Sequence, residues 1–281
     1  MAFGDRRDAY KVKDAHGMNN ILIDFSPHRY EAEVYMNCEI DVTEFCNYID
    51  ELKKDHPEVT YYHGMVFILA KTVYSRPYLN RFIANRHVYE HKDVSFGFTA
   101  KVEFEDEAEE CITVIPVKKD DTVLEVGAYI REVVARMRDK NQKTNDVDGL
   151  INLIGNLPNL LRIPITGTVK FLDKRGWLPR SMMDDNLYYA SGIVTDIGVF
   201  KTGAIYHHLS EFGTNSFVAA FGEIKEVKGR KMMELGATLD ERIADGFYFC
   251  KALKLIEYLF AHPECLMEEA GKKVSIPENE R

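Results

Sequence analysis

The chain is expected to fold as a single α+β domain, with helices laid over one face of a mixed or mostly antiparallel sheet. Three observations give that class. Apolar and polar residues alternate from Ala32 to Ile40 and from Val94 to Phe104, the two-residue period of half-buried strands. Apolar residues at helical spacing fill the segments around these strands, which places helices against a sheet rather than in a separate bundle. No internal repeat, low-complexity linker or composition break divides the 281 residues, a length that suits one large domain or two small ones. A hydrophobic fraction of 46% can build a sizeable core and does not point to disorder.

Taken in order, residues 1–20 read as an irregular arm. The alternation Ala32, Val34, Met36, Cys38, Ile40 is the first strand. Phe45, Tyr48, Ile49 and Leu52 then fall on one helical stripe, with Asp41 or Thr43 as N-cap. A more apolar helix runs from about Tyr61 to Tyr74 and is closed by Pro77. Val94, Phe96, Phe98, Ala100, Val102 and Phe104 form the clearest strand, and Cys111 to Val117 should pair with it across the acidic turn 105–110. Thr122 and Glu125 make a capping-box pattern at the start of a helix with Val126, Ile130, Val133, Val134 and Met137 on one face. Residues 141–186 are an irregular, partly helical insertion, with Pro158 and Pro164 as breakers. Strand-like runs follow at Leu187–Ile197, Phe217–Val227 and Met232–Leu239. The last helix carries Tyr248, Ala252, Leu255, Ile256 and Leu259 on one stripe and ends near His262-Pro263.

The formal net charge is -9, which argues against nucleic acid or an anionic membrane as the main partner. Five cysteines at wide spacings, with no Cys-x-x-Cys, give neither a disulfide framework nor a zinc site, and no metal is expected. The polar start of the chain is no secretory signal, and no apolar run reaches the ~20 residues that span a bilayer. A cytoplasmic location is the natural expectation.

The chemistry-bearing stretch is Asp240-Glu241-Arg242-Ile243-Ala244-Asp245-Gly246, just before the last helix. It resembles the active-site signature Asp-His-Arg-x-x-Asp-Gly of the chloramphenicol acetyltransferase-like superfamily, which includes the acyltransferase cores of the 2-oxoacid dehydrogenase complexes. Five further pieces resemble the same superfamily in the same order: Ile23-Asp24-Phe25-Ser26-Pro27-His28-Arg29, Cys38 to Thr43, the helix 67–71 with Arg76-Pro77-Tyr78-Leu79-Asn80, Ile115-Pro116-Val117, and Gly192-Ile193-Val194-Thr195-Asp196-Ile197-Gly198. The likeness covers roughly residues 22–140 and 187–265. It implies a chloramphenicol acetyltransferase-like fold, a homotrimer with active sites between subunits, and transfer of an acyl group from a thioester to a hydroxyl or thiol acceptor. Coenzyme A or acyl-CoA would be a cosubstrate, with no covalently bound cofactor. The core begins almost at once, so no lipoyl or subunit-binding domain is expected and the trimer should be free-standing.

By the same resemblance the catalytic-base position falls on Glu241, where relatives carry histidine, and the oxyanion-donor position falls on Thr195. Arg29 would pair with Asp245, bracing the loop that Gly246 eases. Lys118, Lys119 and Arg136 lie where relatives form the CoA channel and could steady its phosphates, although a solvated basic face explains most of them. A free glutamate, with a pKa of roughly 4.3, is a weak base at neutral pH. Burial could raise it into use or leave it protonated and inert. His207 and His208 are a second source of a base, because imidazole titrates near neutrality; the ordinary reading puts one at a subunit contact and the other in water. His63 and His28 read as structural. The alternative to an acyltransferase is a catalytically inactive trimer that binds CoA or an acyl ligand, or serves as a scaffold.

Overall fold

The computed structural model describes residues 4–101, 110–138, 149, 153–184 and 186–278. The strands are β1 (Ala9–Lys11), β2 (Glu33–Asp41), β3 (Arg81–Ala84), β4 (His87–His91), β5 (Val94–Lys101), β6 (Glu110–Val117), β7 (Gly192–Asp196), β8 (Phe217–Val227) and β9 (Arg230–Asp240). The long helices are α1 (Gly17–Phe25), α2 (Thr43–Leu52), α3 (Tyr61–Ser75), α4 (Val123–Arg138), α5 (Asn159–Lys174) and α6 (Gly246–Ala261). Six strands form the main sheet in the order β2-β9-β8-β7-β5-β6. It is mixed: β7 runs parallel to both β5 and β8, and the other pairs are antiparallel. The expected α+β class and the β5–β6 hairpin are therefore present; the turn 102–109 lies outside the described residues.

The alternation of β9 shows how the sheet divides its faces. Met233 and Leu235 point into the core with α3 and α6. Glu234 and Gly236 point the other way, toward an extended segment, 201–216, that crosses the far face. Ala204 N–H donates to Glu234 Oε2 at 2.9 Å and Leu209 N–H to Glu33 Oε1 at 2.6 Å. The approach is close enough that a Cβ on Gly222 would stand 2.7 Å from the Ala204 nitrogen, so glycine is needed there.

α3 is the central helix. Every residue from His63 to Val73 is buried, as its continuous apolar run requires. Lys71 is fully enclosed, and its ammonium donates to the Glu269 carbonyl at 2.9 Å and faces Glu268 at 3.4 Å. The first turn is closed reciprocally: Thr60 Oγ1 accepts from His63 N–H, and Thr60 N–H donates to His63 Nδ1, both at 3.3 Å. The capping role makes His63 the structural residue the sequence suggested. At α2 the N-cap is Val42, not Asp41 or Thr43 as expected, and makes no side-chain cap; Asp41 just before it accepts from Thr43 N–H on Oδ1 at 3.0 Å. At α4 the Glu125 half of the expected capping box is present, with Thr122 N–H on Glu125 Oε2 at 2.8 Å, while Thr122 Oγ1 accepts from Leu124 N–H at 3.3 Å.

Two features depart from the sequence reading. The arm is partly ordered into structure, because β1 joins β4 and β3 in a second, three-stranded sheet. Residues 159–174 form a long helix despite Pro164. On that helix Asp173 is the buried residue, while Leu160, Leu161 and Ile163 are exposed. Within one protomer, then, the described part of the apolar segment 150–161 is not extra core.

Burial holds two histidines neutral. His63 and His91 are both pushed down to about 4, in each case chiefly by burial. His91 Nε2–H donates to the Thr214 carbonyl at 3.3 Å. The unfolded chain takes up these protons near pH 6.5 and the folded chain only near pH 4, so stability is fully present above pH 6.5 and falls between the two. Each histidine should cost on the order of 3 kcal/mol across that interval. Urea unfolding at pH 7 and pH 4.5 should show that loss, and a flatter pH slope in His91→Gln.

Candidate functional site

The site is built at the C-terminal end of β9. Asp240, its last residue, is completely buried, and Arg242 is 1% exposed. The two close a fork: Arg242 Nε to Asp240 Oδ1 at 2.8 Å and Nη2 to Oδ2 at 2.7 Å, with Arg242 backbone N–H on Oδ1 at 3.1 Å. Arg242 Nη1 adds the Ser26 carbonyl at 3.1 Å. The chain between these partners has no freedom left, because Glu241 N–H also donates to the Ala32 carbonyl at 2.8 Å. The Glu241 backbone is therefore pinned while its side chain is exposed. No hydrogen bond reaches its carboxylate from another described residue.

Asp245 caps α6, its Oδ1 accepting from Tyr248 N–H at 2.8 Å. The expected Arg29–Asp245 ion pair does not form. Arg29 is turned into the interior, where its guanidinium donates to the carbonyls of Ser210 and of Gly213, the latter at 2.7 Å, and its backbone N–H donates to Glu211 Oε1. The loop is braced by Asp240–Arg242 instead, since these two are enclosed and adjacent whereas Asp245 faces solvent. Gly246 is not required sterically: a Cβ there would meet nothing within 4 Å. Gly213 is required, with φ +84° and the Tyr188 carbonyl in the way of any Cβ.

Thr195 sits half-buried on β7. It pairs with Ala220 on β8, which pairs in turn with Gly236 on β9. Glu241 lies beyond the end of β9, so within one protomer the two residues are on the order of 20 Å apart at ~4.8 Å per strand and ~3.3 Å per residue. The protomer alone does not bring the base and donor positions together. His207 and His208 are exposed on the segment that crosses the far face. Lys118 and Lys119 are exposed at the turn after β6, and Arg136 is exposed on α4 with Glu132 at 3.9 Å. His28 stacks on Tyr30 with ring centroids 5.3 Å apart and lies 3.6 Å from Glu211, a structural setting.

Two groups beside Thr195 escaped the sequence reading. Burial raises the Asp196 carboxyl above the usual aspartate range, although its Oδ1 accepts from Gly198 N–H at 2.9 Å. Tyr62 on α3 is half-buried, but its hydroxyl is enclosed without a hydrogen-bond partner and its pKa is raised by burial and then by Asp196. The one available signal was a carboxylate at the end of a largely apolar strand. An aspartate held above its usual range penalises the folded state once ionised, that is above its folded pKa, and not below its unfolded pKa. Asp196→Asn keeps the acceptor and removes the charge. It should raise the melting temperature at pH 7 and leave it unchanged near pH 3; equal effects at both pH values would contradict the assignment.

No family model matches the chain, and no curated protein matches it. Solved structures do. A truncated catalytic core of the 2-oxoacid dehydrogenase multienzyme complex from Thermoplasma acidophilum aligns over 90% of this chain and 99% of its own, with TM-score 0.59 and 17% identity. A probable dihydrolipoamide acetyltransferase from Listeria monocytogenes aligns over 90% and 95%, with TM-score 0.56 and 15% identity. A chloramphenicol acetyltransferase aligns over 90% and 99%, with TM-score 0.56 and 10% identity. The chain thus has the fold shared by the 2-oxoacid dehydrogenase acyltransferase cores and chloramphenicol acetyltransferase, as the motifs around Asp240 and Thr195 implied. No described helix is long and apolar enough to cross a membrane.

Proposed function

We propose that this chain is a CoA-dependent acyltransferase that works as a homotrimer, with Glu241 of one subunit facing Thr195 of the next. The observation that carries this reading is the pairing of an acyltransferase fold with two site residues about 20 Å apart in one protomer, each with a side chain not enclosed by its own subunit. Such residues serve one reaction only if a neighbouring copy closes the gap. In the reaction, the Glu241 carboxylate takes the proton of an acceptor hydroxyl or thiol as that atom attacks the thioester carbonyl. The Thr195 hydroxyl donates to the oxyanion that forms. Collapse expels CoA as a thiolate, which recovers the proton from Glu241.

A second reading, a trimer that binds CoA or an acyl ligand without turnover, is favoured by the absence of any described partner on the Glu241 carboxylate that would tune it as a base. Acyl transfer from acetyl-CoA and longer acyl-CoA to thiol and alcohol acceptors separates the two. Turnover that is lost in Glu241→Gln supports the enzyme. CoA-dependent thermal stabilisation with no turnover, unchanged in Glu241→Gln, supports the binding protein.

A further inference from the structure

A cavity of about 300 Å³ lies among the end of α1, the β3–β4 turn, the C-terminal end of α5 and the 211–213 segment. Its wall carries the cations Arg29, Arg86, Lys174 and Arg242 and the carboxylates Asp173 and Glu211. Most of these charges are already matched. Arg242 is held by Asp240, and Arg86 Nη1 reaches Asp24 at 2.8 Å. Asp173 accepts from the Tyr189 hydroxyl at 2.7 Å and from Gly213 N–H at 3.0 Å, with Arg6 at 3.7 Å. Glu211 takes the Arg29 backbone N–H.

Arg29 differs from the rest. It is 3% exposed, its side chain donates to two carbonyls, and no carboxylate lies within 4.0 Å of its guanidinium among the described residues. Those two bonds use one N–H each of Nη1 and Nη2, and each of these nitrogens carries a second N–H. Burial lowers its pKa more than the surrounding carboxylates raise it. A buried cation with no carboxylate in direct contact is costly even with Asp240, Glu211 and Asp173 nearby, and the planar fork of a guanidinium suits a carboxylate. Lys174, at the exposed side, also has no ion pair among the described residues. Ile23 and Ile83 give the cavity an apolar wall.

We propose that this cavity binds a small organic carboxylate, its carboxylate on the Arg29 guanidinium and its carbon chain against Ile23 and Ile83. The volume sits at the lower end of the ~300–1,000 Å³ typical of ligand pockets, which favours a small acid. Asp173 and Glu211 in the same wall disfavour a dianion, so a carboxylate fits better than a phosphate. Arg86 and Lys174 form the charged rim. Arg86 occupies the left-handed region with φ 60°, next to Asn85 at φ 46°, in a two-residue hairpin turn where glycine is the usual choice.

Calorimetric titration of the full chain at pH 7 and low chloride tests the proposal, with butyrate, its neutral isostere butyramide, and inorganic phosphate as probes. Butyrate should bind and raise the melting temperature, with butyramide and phosphate weaker by at least about tenfold. Arg29→Lys, which keeps the charge and loses the fork, should weaken butyrate most. Because that position is buried, two rim variants keep the test open: Lys174→Gln, and Arg86→Gly, which suits the backbone. Each should remain folded and weaken butyrate by roughly threefold to tenfold. No butyrate binding by the folded protein, butyramide binding as tightly as butyrate, phosphate binding more tightly, or indifference to both rim variants would each overturn the proposal.

Discussion

Replacing Arg242 by leucine is expected to destabilise the protein by about 3–5 kcal/mol. The reason is what the change leaves behind. Asp240 is 0% exposed, and Arg242 supplies both of its side-chain donors at 2.7 and 2.8 Å. Without the guanidinium a carboxylate stays enclosed with only a backbone N–H beside it. Arg29 also feels the Asp240 charge, alongside those of Glu211 and Asp173, so removing Asp240 instead would leave Arg242 buried without its partner and weaken the balance on Arg29. Asp240→Asn should therefore cost at least as much as Arg242→Leu. Changing both residues to apolar ones of similar size should recover most of the Arg242→Leu loss, because burying the pair is itself costly. Urea melts measure this: the midpoint should fall with an unchanged slope. A loss under about 1 kcal/mol, the range of exposed pairs, would show that the fork does not hold the loop.

The second large effect concerns Glu241. If its carboxylate is the base, Glu241→Gln should lower acyl transfer by about 10²- to 10⁴-fold, the usual contribution of a positioned general base. Thr195→Val should lower it by about 10²- to 10³-fold through loss of the oxyanion donor. Glu241→His introduces a group that titrates near neutrality at a position whose backbone is fixed by the Ala32 carbonyl and the Asp240–Arg242 fork, and should raise the rate at pH 7. Steady-state rates of free CoA release read all three. Glu241→Gln turning over like the parent would remove Glu241 from the mechanism.

Much of the fold was legible because its elements carry undiluted periodicities. β8 spans Phe217–Val227, as the apolar run indicated, and α6 begins at the residue after Asp245 because that side chain caps it. Other elements gave contrary signals. α5 was read as broken because Pro158 and Pro164 look like stops, yet Pro158 precedes the first helical residue and Pro164 falls within the second turn. The small sheet was missed because β1 is three residues long and the β3–β4 turn uses Asn85-Arg86 instead of Asn-Gly. Within the site, Asp240-Glu241-Arg242 was recognisable as a motif, but local pattern could not give the partner of Arg29. That partner is the backbone of residues 210–213, about 180 positions away, and no spacing rule encodes it. Asp196 and Tyr62 were missed for the same reason, since their interaction joins a strand to the central helix.

The proposed reaction requires that neighbouring copies bring Glu241 and Thr195 together. Sedimentation equilibrium of the full chain tests it most directly. A three-chain particle of about 97 kDa, three times the 32.3 kDa of one chain, is the expected result across micromolar concentrations. A 32.3 kDa monomer under conditions where acyl transfer or CoA binding proceeds would contradict it, because one protomer cannot close the distance between those two residues.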